Sequence, residues 1–219
     1  MTARWATFDC YGTLIDWNGG IRAQLARLWP AEDADELLHR YHELEPEIER
    51  GHPGLSYRGV MQRALAGLGE VPVGEEDALG QSLPQWEPFP EVRAALTEAR
   101  ARGWRLAILS NTDRDLIEAS QRRLDVPFDE TVVASEIGSY KPAHVHWEEF
   151  FARTDAPRGG HVHVAASLFH DVAPANDLGL RSVWINRLGE MPGPQATREL
   201  RDLGALPDTL DELVPADAG

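Results

Sequence analysis

Arg4-Trp5-Ala6-Thr7-Phe8-Asp9-Cys10-Tyr11-Gly12-Thr13-Leu14-Ile15 is the stretch on which the fold turns. The aromatic and β-branched residues from Trp5 to Phe8 predict a short strand, and Gly12 breaks the residues beyond it into a turn. Asp9 therefore stands where a strand gives way to a loop. In open α/β sheets, ligands bind at the carboxyl ends of strands. Asp9 is either a carboxylate facing such a crevice or one that caps a turn, and the remaining chain decides between the two.

From about residue 16 to residue 85 the periodicity is helical. Ile21, Leu25 and Leu28 share a face, as do Leu37, Tyr41 and Leu44, and then Val60, Ala64 and Leu68. Gly19-Gly20, Gly51-His52-Pro53-Gly54 and Gly69 divide the pieces, and no strand pattern occurs. Pro88-Phe89-Pro90 ends this insert. Beyond it, the pattern predicts a helix over 91–102 closed by Gly103, a strand over 105–109 and a helix ending near Leu124. Next come a strand over 131–134, a helix over 144–153, a strand over 161–166, a helix over 172–178 and a strand over 182–186. Alternating strands and helices predict an α/β fold, a parallel sheet with right-handed crossovers and helices on both faces. Residues 196–203 read as a surface helix, and the acidic tail after Pro207 reads as peripheral.

The chain has 219 residues, enough to bury a full core. Its net charge of −15 argues against a nucleic-acid or anionic-membrane partner, although a local Lys or Arg can still receive a small anion. No apolar run reaches the length of a membrane span, and the N-terminal residues show no signal-peptide pattern. A single cysteine, Cys10, excludes an internal disulfide framework and fits a reducing cytoplasm.

Polar residues recur at successive strand ends: Asp9, then Ser110 and Asn111, then Lys141, then Ser167 and Asp171. In a parallel sheet these ends share one edge, so groups distant in sequence meet in one crevice.

This ordered set resembles the haloacid dehalogenase superfamily. Asp9-Cys10-Tyr11-Gly12-Thr13-Leu14 is similar to its first motif, Leu109-Ser110-Asn111 to its second, Lys141-Pro142 to its third, and residues 167–171 to its fourth. The helical insert lies where the family carries a cap. The resemblance implies a Rossmann-like core of residues 1–15 and 88–219, a helical cap of residues 16–87, and Asp9 as a covalent nucleophile. Phosphatases of the superfamily place a second Asp two residues after the nucleophile and a metal-binding Gly-Asp in the fourth motif. Here those positions hold Tyr11 and Ala165-Ala166, and a methyl group cannot ligate a hard cation. The pattern instead is similar to the type II 2-haloacid dehalogenases, and residues 181–187 resemble their last strand.

That resemblance implies hydrolysis of short 2-haloalkanoic acids to 2-hydroxyacids through an Asp9 ester, without metal or other cofactor. The partners are the haloacid and water, with a homodimer expected at the family level. Lys141 would keep the Asp9 pKa low and steady an oxyanion, and Asp171 would orient or deprotonate the water. Ser110, Asn111 and Ser167 are candidates for the substrate carboxylate or halide, Thr13 for orienting Asp9, and Tyr11 for the pocket wall. Three positions depart from the family pattern. Leu168 stands for an Asn, Trp147 for a Tyr, and no Arg falls at the cap position that meets the substrate; Arg40, two residues away, is nominated in its place.

The pairs His144/His146 and His161/His163 have a metal-like spacing. His161 and His163 share a strand face, but no Cys or carboxylate triad accompanies them, and His144 and His146 diverge on a helix. Two other readings stand beside dehalogenation. One is a divergent phosphate-ester hydrolase, disfavoured by Tyr11 and Ala166. The other is a binding protein that keeps the fold, disfavoured by Asp9, Lys141 and Asp171 together.

Overall fold

In the computed structural model, which describes residues 3–216, strand β1 (Arg4–Phe8) is buried from its second residue onward. A strand covered on both faces needs apolar groups on both. Ala6 and Phe8 join the larger hydrophobic cluster and Trp5 joins the smaller one, as alternation along a strand requires. After β1 come helices α1 (Trp17–Leu28), α2 (Ala34–Gly51), α3 (Tyr57–Leu68) and α4 (Ala78–Ser82). Asp16, Asp33 and Ser56 cap the first three by accepting backbone N–H groups. Then come α5 (Val92–Ala101), β2 (Trp104–Ser110), α6 (Arg114–Leu124), β3 (Glu130–Val133), α7 (Ala134–Ile137), α8 (Val145–Thr154) and β4 (His161–Ala165). The chain continues through α9 (Ala173–Asp177), β5 (Arg181–Ile185), β6 (Arg198–Leu200) and α10 (Leu206–Leu213).

The six strands pair in parallel in the order β3-β2-β1-β4-β5-β6. This is the doubly wound Rossmann order, and the winding reverses between β1 and β4, where such sheets open a ligand crevice. The predicted fold class is the one observed. Phe8 pairs with Ile108 on one side and Val164 on the other, so Asp9, the next residue, emerges at that reversal. Its N–H donates to the Val164 carbonyl at 3.1 Å. Gly12 adopts φ +86°, a left-handed conformation that an L side chain resists, and its N–H closes the turn onto the Ile15 carbonyl at 2.8 Å. On the Trp5 face, α8 supplies Trp147 and Phe150; the Phe150 ring meets Trp5 edge-on at 5.3 Å.

Three expectations need correction. Residues 196–203 do not form a helix: Arg198–Leu200 is the edge strand β6, whose register places Arg198 beside Val183 and Leu200 beside Ile185. The tail after Pro207 is not peripheral either. Helix α10 buries Leu206 and Leu210 fully, and its Asp211 accepts from Arg4 at 2.6 Å and from the Trp104 indole at 2.9 Å. On α2, Leu44 is only half-buried. The inward stripe is Leu37, Tyr41, Glu45 and Glu49, one residue per turn at i, i+4 spacing.

The burial of α10 yields a stability prediction. Leu210→Ala should cost about 2–5 kcal/mol, as for other buried leucines. Urea unfolding measures it, and a loss under about 0.5 kcal/mol would return the helix to a peripheral role.

Candidate active site

The turn after β1, the end of β2, the loop after α7 and the π-helical turn Leu168–Val172 after β4 converge above the sheet. Lys141, 2% exposed, ties them together. Its Nζ donates to Asp9 Oδ1 at 2.9 Å, to Asp171 Oδ1 at 2.7 Å and to the Leu109 carbonyl at 3.0 Å. An ammonium has three N–H groups, so all its donors are spent. The Asp9 carboxylate is fixed on its other side by Thr13, whose hydroxyl donates to Oδ2 at 2.9 Å and accepts from the Ala166 N–H at 2.9 Å.

The two carboxylates share one cation unequally. Burial pushes Asp171 up, but Lys141 and a hydrogen bond from His163 pull it the other way and hold it well below the usual carboxylate range. For Asp9, burial outweighs the Lys141 charge, nearby Asp171 adds to the effect, and the net direction is upward. The expectation that Lys141 keeps the Asp9 pKa low is thus corrected: Lys141 does pull Asp9 down, but burial, with Asp171 beside it, outweighs that pull.

Behind Asp171 runs a buried relay. His163 Nε2 donates to Asp171 Oδ1 at 2.9 Å. With that nitrogen protonated, His163 Nδ1 accepts from the Thr7 hydroxyl at 2.8 Å, and Thr7 Oγ1 accepts from His161 Nε2 at 2.8 Å. Burial pushes the His161 imidazole well down, which keeps it neutral. The shared strand face of His161 and His163 therefore serves to orient a carboxylate. Asp171 Oδ2 is left buried without a protein partner, and Asp171 lines the cavity.

Of the other expected site residues, Ser110, Asn111, Ser167 and Tyr11 line a cavity of about 470 Å³ above Asp9. Ser110 Oγ is buried and has no partner in the described chain. Asn111 clamps the Lys141 backbone, accepting its N–H at 2.7 Å and donating to its carbonyl at 3.1 Å, and also donates to Glu49 at 3.2 Å. Ser167 caps the π-helical turn by accepting the His170 N–H at 3.0 Å. Tyr11 turns its hydroxyl to Ser120 at 3.0 Å and stacks on Tyr57, so its ring forms wall while its proton points elsewhere.

Arg40 is a correction. It donates to the Leu68 carbonyl at 2.8 Å and does not line the cavity. At ~100° per residue it lies roughly opposite Glu45 and Glu49 on α2. Those two acids, both lining the cavity, occupy the inward face instead. Burial pushes Glu45 up to about 7; burial and the adjacent Glu45 push Glu49 up to about 9. Their signal in the sequence was the Leu37/Tyr41 stripe continued by four and then eight residues.

The residues do not fit a divalent cation. The Lys141 ammonium stands between Asp9 and Asp171, and Ala166 offers a methyl where an oxygen ligand would be needed. Among the described residues no group of three or more His, Cys, Asp or Glu is disposed to hold one. His146 instead donates to the Ser110 carbonyl at 3.1 Å.

A parallel doubly wound sheet with charged side chains converging on its crevice defines a Rossmann-like α/β enzyme. Its family is shown by a profile match over residues 3–166: the chain belongs to the haloacid dehalogenase-like hydrolases. It is 27% identical over 229 residues to an (S)-2-haloacid dehalogenase of Pseudomonas putida, spanning 93% of this chain and 96% of that protein. A haloacetate dehalogenase of Moraxella sp. (strain B) is 29% identical over 192 residues, 83% of this chain and 85% of that one. The crystal structure of an L-2-haloacid dehalogenase shares the fold, with a TM-score of 0.85 at 22% identity, covering 96% of this chain and 100% of that one. No helix among the described residues is long and apolar enough to cross a membrane.

The shared cation yields a prediction with a definite sign. Lys141→Met strands two buried carboxylates and should cost about 3–5 kcal/mol at pH 7. In the wild type the depressed Asp171 contributes stability above its unfolded value of about 3.9, lost as pH falls through its lower folded value. In the variant, burial alone raises both carboxyls, so its stability rises as pH falls. The gap should therefore narrow between pH 7 and pH 4. Denaturant melts across that range test this, and a gap independent of pH would refute it.

Proposed function

We propose that the protein hydrolyses the carbon–halogen bond of short 2-haloalkanoic acids through a covalent Asp9 ester, without a metal. The observation that carries this reading is the Lys141 ammonium with all three donors spent on Asp9, Asp171 and the Leu109 carbonyl. That arrangement suits a fixed carboxylate nucleophile and takes the place of a metal between the acids. A carboxylate whose pKa is raised by burial is also the stronger nucleophile once ionised. The similarity to named 2-haloacid dehalogenases supports the same reaction class.

In the first step an Asp9 oxygen attacks the carbon bearing the halogen. The C–O bond forms as the C–halogen bond breaks, and halide leaves with the electron pair. Water then attacks the carbonyl carbon of the Asp9 ester. The departing alkoxide takes a water proton, and Asp9 returns as carboxylate with the other proton passed to solvent. Only the first step touches the substrate carbon, so its configuration inverts. Asp171 Oδ2 is the acceptor available to orient the water, and the relay through His163 and Thr7 holds that carboxylate in place. A carboxyl held well below its usual range is a weak base, which favours orientation over proton storage. Lys141 and Thr13 stand ready to steady the oxyanion on Asp9. We also assign residues 16–87 to a cap and the rest to the catalytic core, because α1, α2 and α3 supply the wall that faces Asp9.

Halide release from 2-chloropropionate should persist in EDTA and fall by at least about 10³-fold in Asp9→Asn. Background release alongside Mg²⁺-dependent cleavage of p-nitrophenyl phosphate would instead support phosphatase chemistry. Mass spectrometry of Asp171→Ala during turnover should find the Asp9 peptide carrying the substrate's carboxyalkyl group as an ester, and an unmodified peptide would count against covalent catalysis. Because Asp9 must be ionised and burial raises it, kcat/KM should be lost on acidification at a pH above the ordinary Asp value of about 3.9. An acid limb below that value would contradict the shared-cation arrangement.

A further inference from the structure

The cap wall opposite the nucleophile is acidic. Glu45 and Glu49 are 8% and 6% exposed, and both line the cavity. One oxygen of each is held: Glu45 Oε1 accepts from Tyr41 at 3.2 Å and Tyr57 at 2.9 Å, and Glu49 Oε2 accepts from Asn111 at 3.2 Å. The second oxygen of each, Glu45 Oε2 and Glu49 Oε1, accepts no hydrogen bond in the described chain. No Lys or Arg pairs with either acid among the described residues. The nearest basic group is His170, 3.8 Å from Glu49, which burial pushes down to about 4 and so leaves neutral at pH 7. Lys141 has no donor to spare, and Arg187 is held by Glu91 at 2.6 Å and the Thr13 carbonyl at 2.9 Å.

Aromatic rings border the acids. Trp17 and Tyr57 line the cavity, and the Trp17 indole donates to the Tyr57 hydroxyl at 2.9 Å, which donates onward to Glu45. At pH 7 burial leaves Glu49 largely protonated and Glu45 about half ionised, so an organic cation entering between Trp17 and Tyr57 draws both acids toward their carboxylate forms and is held by charge and ring quadrupole together. A lone carboxylate entering this cavity meets six acidic residues in its lining, Asp9, Asp16, Glu45, Glu49, Asp171 and Glu190. A substrate that also carries a positive charge offsets them. The 470 Å³ of space lies in the range of ligands well beyond haloacetate in size.

We propose that Glu45 and Glu49 bind a cationic nitrogen on the substrate, so that the enzyme acts on 2-haloacids whose chain ends in an ammonium group. This deepens the dehalogenase reading and rests on it. The halogenated carbon lies against Asp9, the carboxylate lies toward the unpartnered Ser110 hydroxyl, and the ammonium meets the two free glutamate oxygens between Trp17 and Tyr57.

The test compares halide release from 2-chloro-6-aminohexanoate and 2-chlorohexanoate, with enzyme-free rates subtracted. The wild type should favour the ammonium substrate by about 10-fold or more in kcat/KM, the worth of one well-placed charged contact. Glu49→Gln and Glu45→Gln keep the side-chain shape and should each bring that ratio toward one. The ratio is internal to each variant, so a loss of folded protein does not mimic the effect. A wild-type ratio at or below one, or a ratio unchanged in both variants, overturns the proposal. If neither acid loses halide, the dehalogenase reading itself fails. Calorimetry with 6-aminohexanoate and hexanoate then decides the wall separately: about tenfold tighter binding of the amino ligand sustains it, and equal binding overturns it.

Discussion

One buried ammonium organises this molecule's chemistry. Lys141 Nζ draws together the turn after β1, the end of β2 and the turn after β4, three segments that the sheet only brings near one another. A buried cation is tolerable only when its partners are well placed, so the lysine dictates how closely those loops approach. Its unequal division between two carboxylates separates their properties. The closer acid stays firmly ionised, while the other is held above its ordinary value.

The helical insert after β1 brings a different logic. Helix α2 places on its inward stripe Leu37 and Tyr41 and then two acids, and the acids line the same cavity as Asp9. The charges on the floor are thus compensated by Lys141, whereas on the roof burial favours the protonated acids. Tyr57 links the two levels, stacking on Tyr11 below and bonding Glu45 beside it. The ends of the helices are also anchored to the core: Asp113, at the start of α6, accepts both the Tyr57 and the Arg58 backbone N–H at 2.9 and 3.0 Å.

The sheet was legible because its signals are local. Trp5 to Phe8, Gly12, Gly103 and Gly179 mark strand ends and helix stops, and parallel topology then brings Asp9, Ser110, Lys141 and Asp171 together without further information. Edge strand β6 was not legible, because Arg198–Leu200 has no pattern of its own and is a strand only by pairing with β5. Arg40 was misplaced because a two-residue slip on a helix sends a side chain to another face. The Thr7–His163–Asp171 relay escaped for a related reason. Thr7 and His163 lie on adjacent strands, and their pairing depends on β1–β4 register, which no short window of sequence specifies.

The placement of β1 has a consequence for how the protein is built. Its neighbours are β2 and β4, and in the second pairing Trp5 lies against His161. Such a central strand has mainly non-local contacts, the kind that close late and slowly in folding. Until β4 arrives, Asp9 lacks the Ala166–Thr13 hydrogen bond, Asp171 lacks its relay, and the crevice has only one side. The Asp9 carboxylate therefore gains its full set of contacts only once β4 is paired with β1. A chain that has lost the β1–β4 pairing keeps every one of these side chains and has no site.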